Sequence, residues 1–235
     1  MKLLDAFIDM LYPPKCIVCN KAIYNEGYCK SCKNKITPIR DFCCLNCGLP
    51  IKQCECDRFI YHFDGITCLY FNEGYAQQAV YDFKFKGIFS CVNVFGDELA
   101  EKAKETFGIE NIDIVTCVPA SKKSVRVRGF NQSLLLAKRV AHSLNKPFDA
   151  TVLLKNNDVK LQHHIRNLDD RFDNVRGAYF RNQTVNGKNV LLVDDIKTTG
   201  ASLDECARQL KFAGAENVFC VTVLVTPLRK KSNDS

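Results

Sequence analysis

The sequence has no apolar run approaching the ~20 residues that a membrane-crossing helix needs. Its longest, Val218–Val225, is interrupted by Thr222. The opening residues are not expected to act as a secretory leader. The opening MKLLDAFIDMLYPP carries Asp5 and Asp9 inside its apolar stretch, where a signal peptide keeps an uncharged centre. No GxxxxGK(S/T) loop and no GxGxxG fingerprint occur, which excludes the common nucleoside-triphosphate and dinucleotide cradles. There is no internal repeat and no low-complexity tract. These absences predict a cytoplasmic, soluble, reduced protein with no membrane insertion.

What remains is ample for a core. The chain has 235 residues, 46% hydrophobic and 25% charged, enough for one large domain or one ordinary domain plus a small module. The outlier is cysteine, at 14. Nine cysteines lie between Cys16 and Cys56, while Cys68, Cys91, Cys117, Cys206 and Cys220 are scattered and read as small buried hydrophobes. A secreted disulfide scaffold would spread its cysteines more evenly. The clustered ones predict a metal-binding module.

The spacing supports that. Cys16-x2-Cys19 and Cys29-x2-Cys32 form two knuckles, each able to turn two thiolates toward one tetrahedral Zn2+. A redox CxxC is the rival, but it belongs at a helix start beside a strand, and here the motif follows Pro13-Pro14 and recurs. A second set is Cys44, Cys47, Cys54 and Cys56, with Cys43 as the spare. The sequence leaves open one zinc or two, and whether the pairs are sequential or interleaved. Asp57 and His62 are substitute ligands to weigh against ordinary surface residues, the better reading. Net charge is +7. Two four-thiolate zinc sites, each net −2, would reduce it to about +3, so any argument for a polyanion partner needs a local patch.

Residues 1–60 are expected to be this module, opened by a short amphipathic helix over residues 3–11, and residues 61–235 a second domain. There, segments alternate. Gly65–Phe71, Ile112–Cys117, Val190–Val193 and Val218–Val225 read as strands, and Val94–Phe107, Phe130–Leu144 and Ser202–Phe212 as helices. The polar stretch 155–174 reads as a long loop, and the tail from Arg229 as frayed. Such alternation predicts an α/β domain, a parallel sheet flanked by helices.

The sharpest segment is Val190-Leu-Leu-Val-Asp194-Asp195-Ile196-Lys197-Thr198-Thr199-Gly200-Ala201-Ser202. Adjacent carboxylates at a strand end can accept hydrogen bonds from vicinal hydroxyls, as on a ribose. A tight hydroxylated loop offers N–H and O–H donors to a phosphate, and the following helix adds its dipole. A capped βα turn would explain a lone Thr-Thr-Gly, but not the whole series.

This segment resembles the phosphoribosyl-pyrophosphate (PRPP) loop of type I phosphoribosyltransferases. The chain as a whole resembles the ComF family, through its leading Leu-rich helix with Pro-Pro-x-Cys-x2-Cys, Lys84-Phe85-Lys86-Gly87, Val118-Pro119, Arg128-Gly129-Phe130-Asn131-Gln132, the Gln162, Leu168, Arg171, Asn174-Val175 series, and Gly177-Ala178. The resemblance implies a zinc finger ahead of a phosphoribosyltransferase-like domain. It implies that Asp194 and Asp195 meet the ribose hydroxyls and that Ile196–Ser202 hold the 5′-phosphate. Val118, Pro119, Ala120 and Ser121 would form the pyrophosphate loop, and Lys86 and Arg128 its cationic partners. Mg2+ would accompany PRPP, as hard oxygen ligands favour, and residues 155–174 would cover the site. It further implies a role in natural transformation, with single-stranded DNA and a competence helicase as partners.

Departures from the pattern matter. Lys197 stands where an apolar residue is common, with phosphate or solvent as its destinations. Ser202 replaces a threonine. Thr198 stands where purine-salvage enzymes carry an acidic general base, so transfer to a purine by that route is disfavoured. Lys122, Lys123 and Arg126 form a basic run suited to PRPP or single-stranded DNA, with a solvated face as the bland alternative. Phe130 reads as core rather than a stacking platform, and His163 and His164 as surface residues. Three functions stay open: a DNA-uptake component that binds PRPP, an active phosphoribosyltransferase, and a PRPP sensor without turnover.

Overall fold

The computed structural model describes residues 14–23, 27–54, 56, 60–156, 172–173 and 175–227. The expected helix at 3–11, Asp57, His163, His164, most of the 155–174 loop and the basic tail lie outside them. The core of the second domain is a four-stranded, wholly parallel sheet in the order β1 (Gly65–Phe71), β6 (Asn217–Val225), β5 (Asn189–Lys197), β2 (Ile114–Cys117). The two central strands are near-continuous apolar runs because both their faces are covered. Against one face pack α1 (Gly74–Lys86), α2 (Ser90–Phe107) and α4 (Gln132–Leu144), burying Phe83, Phe95, Leu99 and Leu136. Against the other pack α5 (Ala201–Phe212) and an antiparallel pair, β3 (Leu153–Lys155) with β4 (Tyr179–Arg181).

The expected strands and helices form, β5 running on past Val193 to Lys197, and there are four additions: the short strands β3 and β4 and the helices α1 and α3 (Lys122–Arg128). Helix α1 is obscured in sequence because aromatic residues lie on its outer side as well: Tyr75, Tyr81 and Phe85 are about half exposed. Helix α3 buries no residue, so it reads only as a charge run. Cys68, Cys91, Cys117, Cys206 and Cys220 are all buried among apolar side chains.

The cysteine-rich segment wraps the edge strand β1. The Ile39 N–H donates to the Leu69 carbonyl, and the Ile66 N–H to the Leu45 carbonyl, each at 2.8 Å. That covers an edge which would otherwise offer a free row of peptide groups. The first half of the segment, through Cys16, Ile17, Cys32 and Ile36, joins the core on the α1–α2 face. The second half, through Ile39, Cys47, Leu49 and Tyr61, joins the core on the α5 face. Among the described residues the module therefore has no core of its own; its two halves clasp opposite sides of one sheet.

Its two leading knuckles share one geometry. The Asn20 N–H donates to the Cys16 carbonyl at 2.9 Å, and the Gly48 N–H to the Cys44 carbonyl at 2.8 Å. Each knuckle ends on a left-handed residue, Asn20 at φ 59° and Gly48 at φ 77°. Bridges Lys15–Ala22 and Cys43–Pro50 close them. Glycine is required at 48 for a second reason: a Cβ there would sit 2.7 Å from the Cys68 Sγ on β1. This local repeat escapes sequence reading because only two cysteines and a turn residue are shared.

Candidate functional site

The metal sets resolve as sequential, not interleaved. The Sγ atoms of Cys16, Cys19, Cys29 and Cys32 lie within 4.8 Å of one another, as do those of Cys44, Cys47, Cys54 and Cys56. A tetrahedral ion with Zn–S of about 2.3 Å requires sulfur–sulfur edges of about 3.8 Å. Cys19–Cys29 at 3.8 Å, Cys47–Cys54 at 3.7 Å and Cys44–Cys56 at 3.5 Å meet that, with Cys54–Cys56 tighter at 3.0 Å. Donors favour the thiolate at Cys29 in one set and Cys44 in the other, while burial pushes Cys32 and Cys47 up. The Ser31 hydroxyl at the Cys29 sulfur helps lower its pKa to about 6. At Cys44, burial opposes ionisation but is outweighed by the N–H groups of Asn46 and Cys47, giving about 7. Both sets fit structural zinc. Cys43 stands outside them, its thiol donating to the Asp41 carbonyl at 3.3 Å. His62 is no ligand either: its Nδ1 lies 3.0 Å from the Asp204 carboxylate.

The second site forms where β5 ends. Residues Asp194, Ile196, Lys197, Thr198, Thr199, Gly200, Ala201, Ser202, Leu203 and Val175 line a cavity of about 230 Å³. Gly200 turns the chain at φ 88° and brings no capping side chain to α5; the Thr199 hydroxyl accepts the Ala201 N–H at 3.4 Å, and the other N–H groups of the first turn face the cavity end of the helix. The two aspartates differ in their partners. Asp194 accepts from the Ser133 hydroxyl at 2.6 Å. Desolvation, then the neighbouring Asp195 charge, push its pKa up to about 7. Asp195 pairs with Lys84 at 2.8 Å, both side chains largely buried.

Lys197 is among the residues that line the cavity, but its side chain does not reach solvent. It is 2% exposed, with Nζ 5.5 Å from the centre of the Tyr61 ring.

The other expected site residues gather elsewhere. Lys86 pairs with the buried Asp82 at 2.9 Å. Burial would raise the Asp82 pKa, yet Lys86, Asn20 and Gln78 hold it below the usual carboxylate range. The Arg128 guanidinium donates to the Gln132 amide oxygen at 3.1 Å and lies over the Phe85 ring. Lys86 and Arg128 share a groove of about 450 Å³ with Lys84, Phe85, Phe89, Val127 and Phe130. Val118, Pro119 and Ala120 lead into Ser121, whose hydroxyl caps α3 by accepting the Ser124 N–H at 3.0 Å. The cavity between β5 and α5 is lined by none of residues 118–121, nor by Lys86 or Arg128.

Sequence reasoning missed Lys84 and Ser133, the direct partners of the aspartates. Lys84 stood in the same Lys-Phe-Lys-Gly motif as Lys86. The helical register of α1, once known, selects Lys84 for Asp195 and turns Lys86 back on Asp82. Lys155 was missed too; its ammonium donates to the Tyr179 hydroxyl at 3.0 Å beside α5.

Comparison with known proteins agrees with this layout. Residues 7–60 match a double zinc ribbon domain and residues 130–235 a phosphoribosyl transferase domain. The chain is 28% identical over 220 residues to competence protein ComFC of Bacillus subtilis, covering 85% of each. It is 26% identical to DNA utilization protein YhgH of Escherichia coli K12, covering 89% of this chain and 96% of that one. Against the Salmonella typhimurium YhgH, 32% identity extends over about half of each chain (49% and 51%). Among solved structures, glutamine PRPP amidotransferase from B. subtilis aligns with a TM-score of 0.40 and 24% identity, over 57% of this chain and 26% of that one. A zinc-ribbon clasp and a phosphoribosyltransferase-like sheet in one chain, together with these near full-length relatives, make the protein similar to ComFC and YhgH along most of its length.

Proposed function

We propose that the chain binds PRPP with Mg2+ at the β5–α5 loop and handles single-stranded DNA in DNA uptake, on the cytoplasmic side. The observation that carries the first half is Asp194 lining the cavity between the C-terminal part of β5 and the N-terminus of α5, with Asp195 beside it. Asp194 and Asp195 would accept from the ribose hydroxyls, and the loop from Ile196 to Ser202 would donate to the 5′-phosphate. Mg2+ would bridge ligand oxygens, which it prefers to nitrogen or sulfur. Thr198 offers no general base, and among the described residues Asp194 is the one acid lining the cavity. That favours ligand binding over transfer to a purine.

Support for the DNA half comes from the groove beside Lys84. Tyr81, Phe85 and Phe89 are 52%, 53% and 54% exposed. Tyr81 and Phe85 rings lie 4.7 Å apart, and Phe89 packs on Phe130 at 4.9 Å. Lys86 and Arg128 flank them, and the exposed Lys122, Lys123 and Arg126 continue along α3. Aromatic faces between cations are what sequence-tolerant binding of single strands uses. Calorimetry with PRPP and Mg2+ tests the first half. Asp194→Ala with Asp195→Ala should abolish the heat, and unchanged affinity would refute the assignment. Measuring pyrophosphate release in the same samples, with amines, bases and single-stranded DNA supplied, separates binding from turnover.

A further inference from the structure

The Thr199–Gly200 turn rests on Tyr61, which shares a core with Cys47 of the second four-cysteine set. Tyr61, five residues past Cys56, lies beneath the loop, and its hydroxyl donates to the Thr199 carbonyl at 2.9 Å. A trans peptide holds its C=O and N–H antiparallel. Anchoring the Thr199 oxygen toward Tyr61 therefore aims the Gly200 N–H the other way. The approach is close: a Cβ on Gly200 would lie 2.9 Å from the Tyr61 ring and 3.2 Å from the Lys197 Cε. The Tyr61 ring is itself stacked on Phe63 at 4.7 Å, so it is a fixed support. His62, the next residue, donates its N–H to Asp204 in the first turn of α5 at 2.6 Å.

Lys197 makes the second link. A buried ammonium needs an anionic partner. Cys47, Cys68 and Cys220 share one core with Tyr61, and Cys54 and Cys56 pack against it. Cys47, Cys54 and Cys56 belong to the second metal set. Desolvation pushes the Lys197 pKa down and the neighbouring thiols act against that; four thiolates on one Zn2+ carry a net −2, a charge this lysine would face.

We propose that Tyr61 and Lys197 are positioning residues through which zinc at Cys44, Cys47, Cys54 and Cys56 sets the anion-binding shape of the loop. Zinc occupancy there, and oxidation of those thiols, would then control ligand affinity at a distance. The ligand side of this inference rests on the PRPP reading; the coupling of zinc site to loop does not.

The test uses the full-length, zinc-loaded chain and three variants: Tyr61→Phe, Lys197→Met and Cys54→Ser. Amide hydrogen exchange is followed at residues 198–203 and, as an internal reference, at β6. Losing the Tyr61 hydroxyl should speed loop exchange about five- to tenfold and leave β6 unchanged. Lys197→Met should release the second zinc to a chelator about tenfold faster. Cys54→Ser should reduce metal content from two zincs to about one and speed loop exchange as Tyr61→Phe does. PRPP affinity, measured with Mg2+, should fall about tenfold in Tyr61→Phe. Loop exchange equal to wild type in Tyr61→Phe overturns the proposal. So does exchange that rises equally in β6, or PRPP affinity matching a wild type that binds it. If the wild type binds no PRPP while the exchange contrast holds, the coupling stands and the ligand reading falls.

Discussion

The Lys84 ammonium meets the Asp195 carboxylate at 2.8 Å, with side chains 15% and 11% exposed, and so ties the last turn of α1 to the end of β5. Two charges this far from water are worth little as a pair but costly when separated, because the survivor stays buried without a partner. Lys84→Met should therefore destabilise the fold by about 3 kcal/mol in urea unfolding. Adding Asp195→Asn should recover a large part of that loss. Additive costs in the double variant would show that the two side chains do not act as a pair.

Asp194 supplies a pH dependence. With a native pKa near 7 against an ordinary value near 4, the folded chain holds a proton that the unfolded chain releases. The stability this group contributes is complete below about pH 4 and is lost as pH rises through about 7. Between pH 6 and pH 8 the change amounts to about 1 kcal/mol. Asp194→Asn should flatten that slope. Ligand binding should run oppositely. An ionised carboxylate accepts from ribose hydroxyls, so PRPP affinity should rise from pH 6 to pH 8 in the wild type. If the Asp194→Asn variant keeps the same pH profile, the titration belongs to another group.

The metal sites make a stoichiometric prediction. Purified chain should hold two zincs, one removed by Cys19→Ser and one by Cys54→Ser, with Cys43→Ser retaining both. Because each half of the ribbon lies in the core on its own face of the sheet, a chelator should lower the stability of the whole chain and not melt a separate module. A metal content below about one per chain would contradict the thiolate geometry.

The sheet and the metal ligands were legible because their signals are short-range. Runs such as Val190–Val193 specify a buried parallel strand, and a CxxC specifies half a tetrahedron. The Asp-Asp to Thr-Thr-Gly series was legible for the same reason, since strand, loop and helix start are contiguous. What stayed hidden depends on packing between distant segments. Lys84 and Lys86 are chemically equal in the sequence, and only the register of α1 decides which meets Asp195. Lys197 looked like a phosphate or solvent residue, since nothing nearby in sequence indicates that its ammonium lies over the Tyr61 ring. The exposed Tyr81 and Phe85 erased the very periodicity that would have revealed their helix.

Those aromatics carry the final prediction. If bases stack on Phe85 and Phe89, each alanine substitution should weaken binding of a short single strand by about 1–3 kcal/mol, with little dependence on base sequence. Because both rings are about half exposed, the fold should tolerate their loss within about 1 kcal/mol. The cations act differently. Replacing Lys122, Lys123 or Arg126 by Gln should reduce the slope of log affinity against log salt by about 0.7 for each phosphate no longer neutralised. Fluorescence titration at several salt concentrations separates the two effects. Intercepts should move in the aromatic variants, and slopes in the basic ones. An unchanged intercept in Phe85→Ala and Phe89→Ala together would leave the groove without a part in DNA binding, and unchanged slopes would remove α3 from it as well.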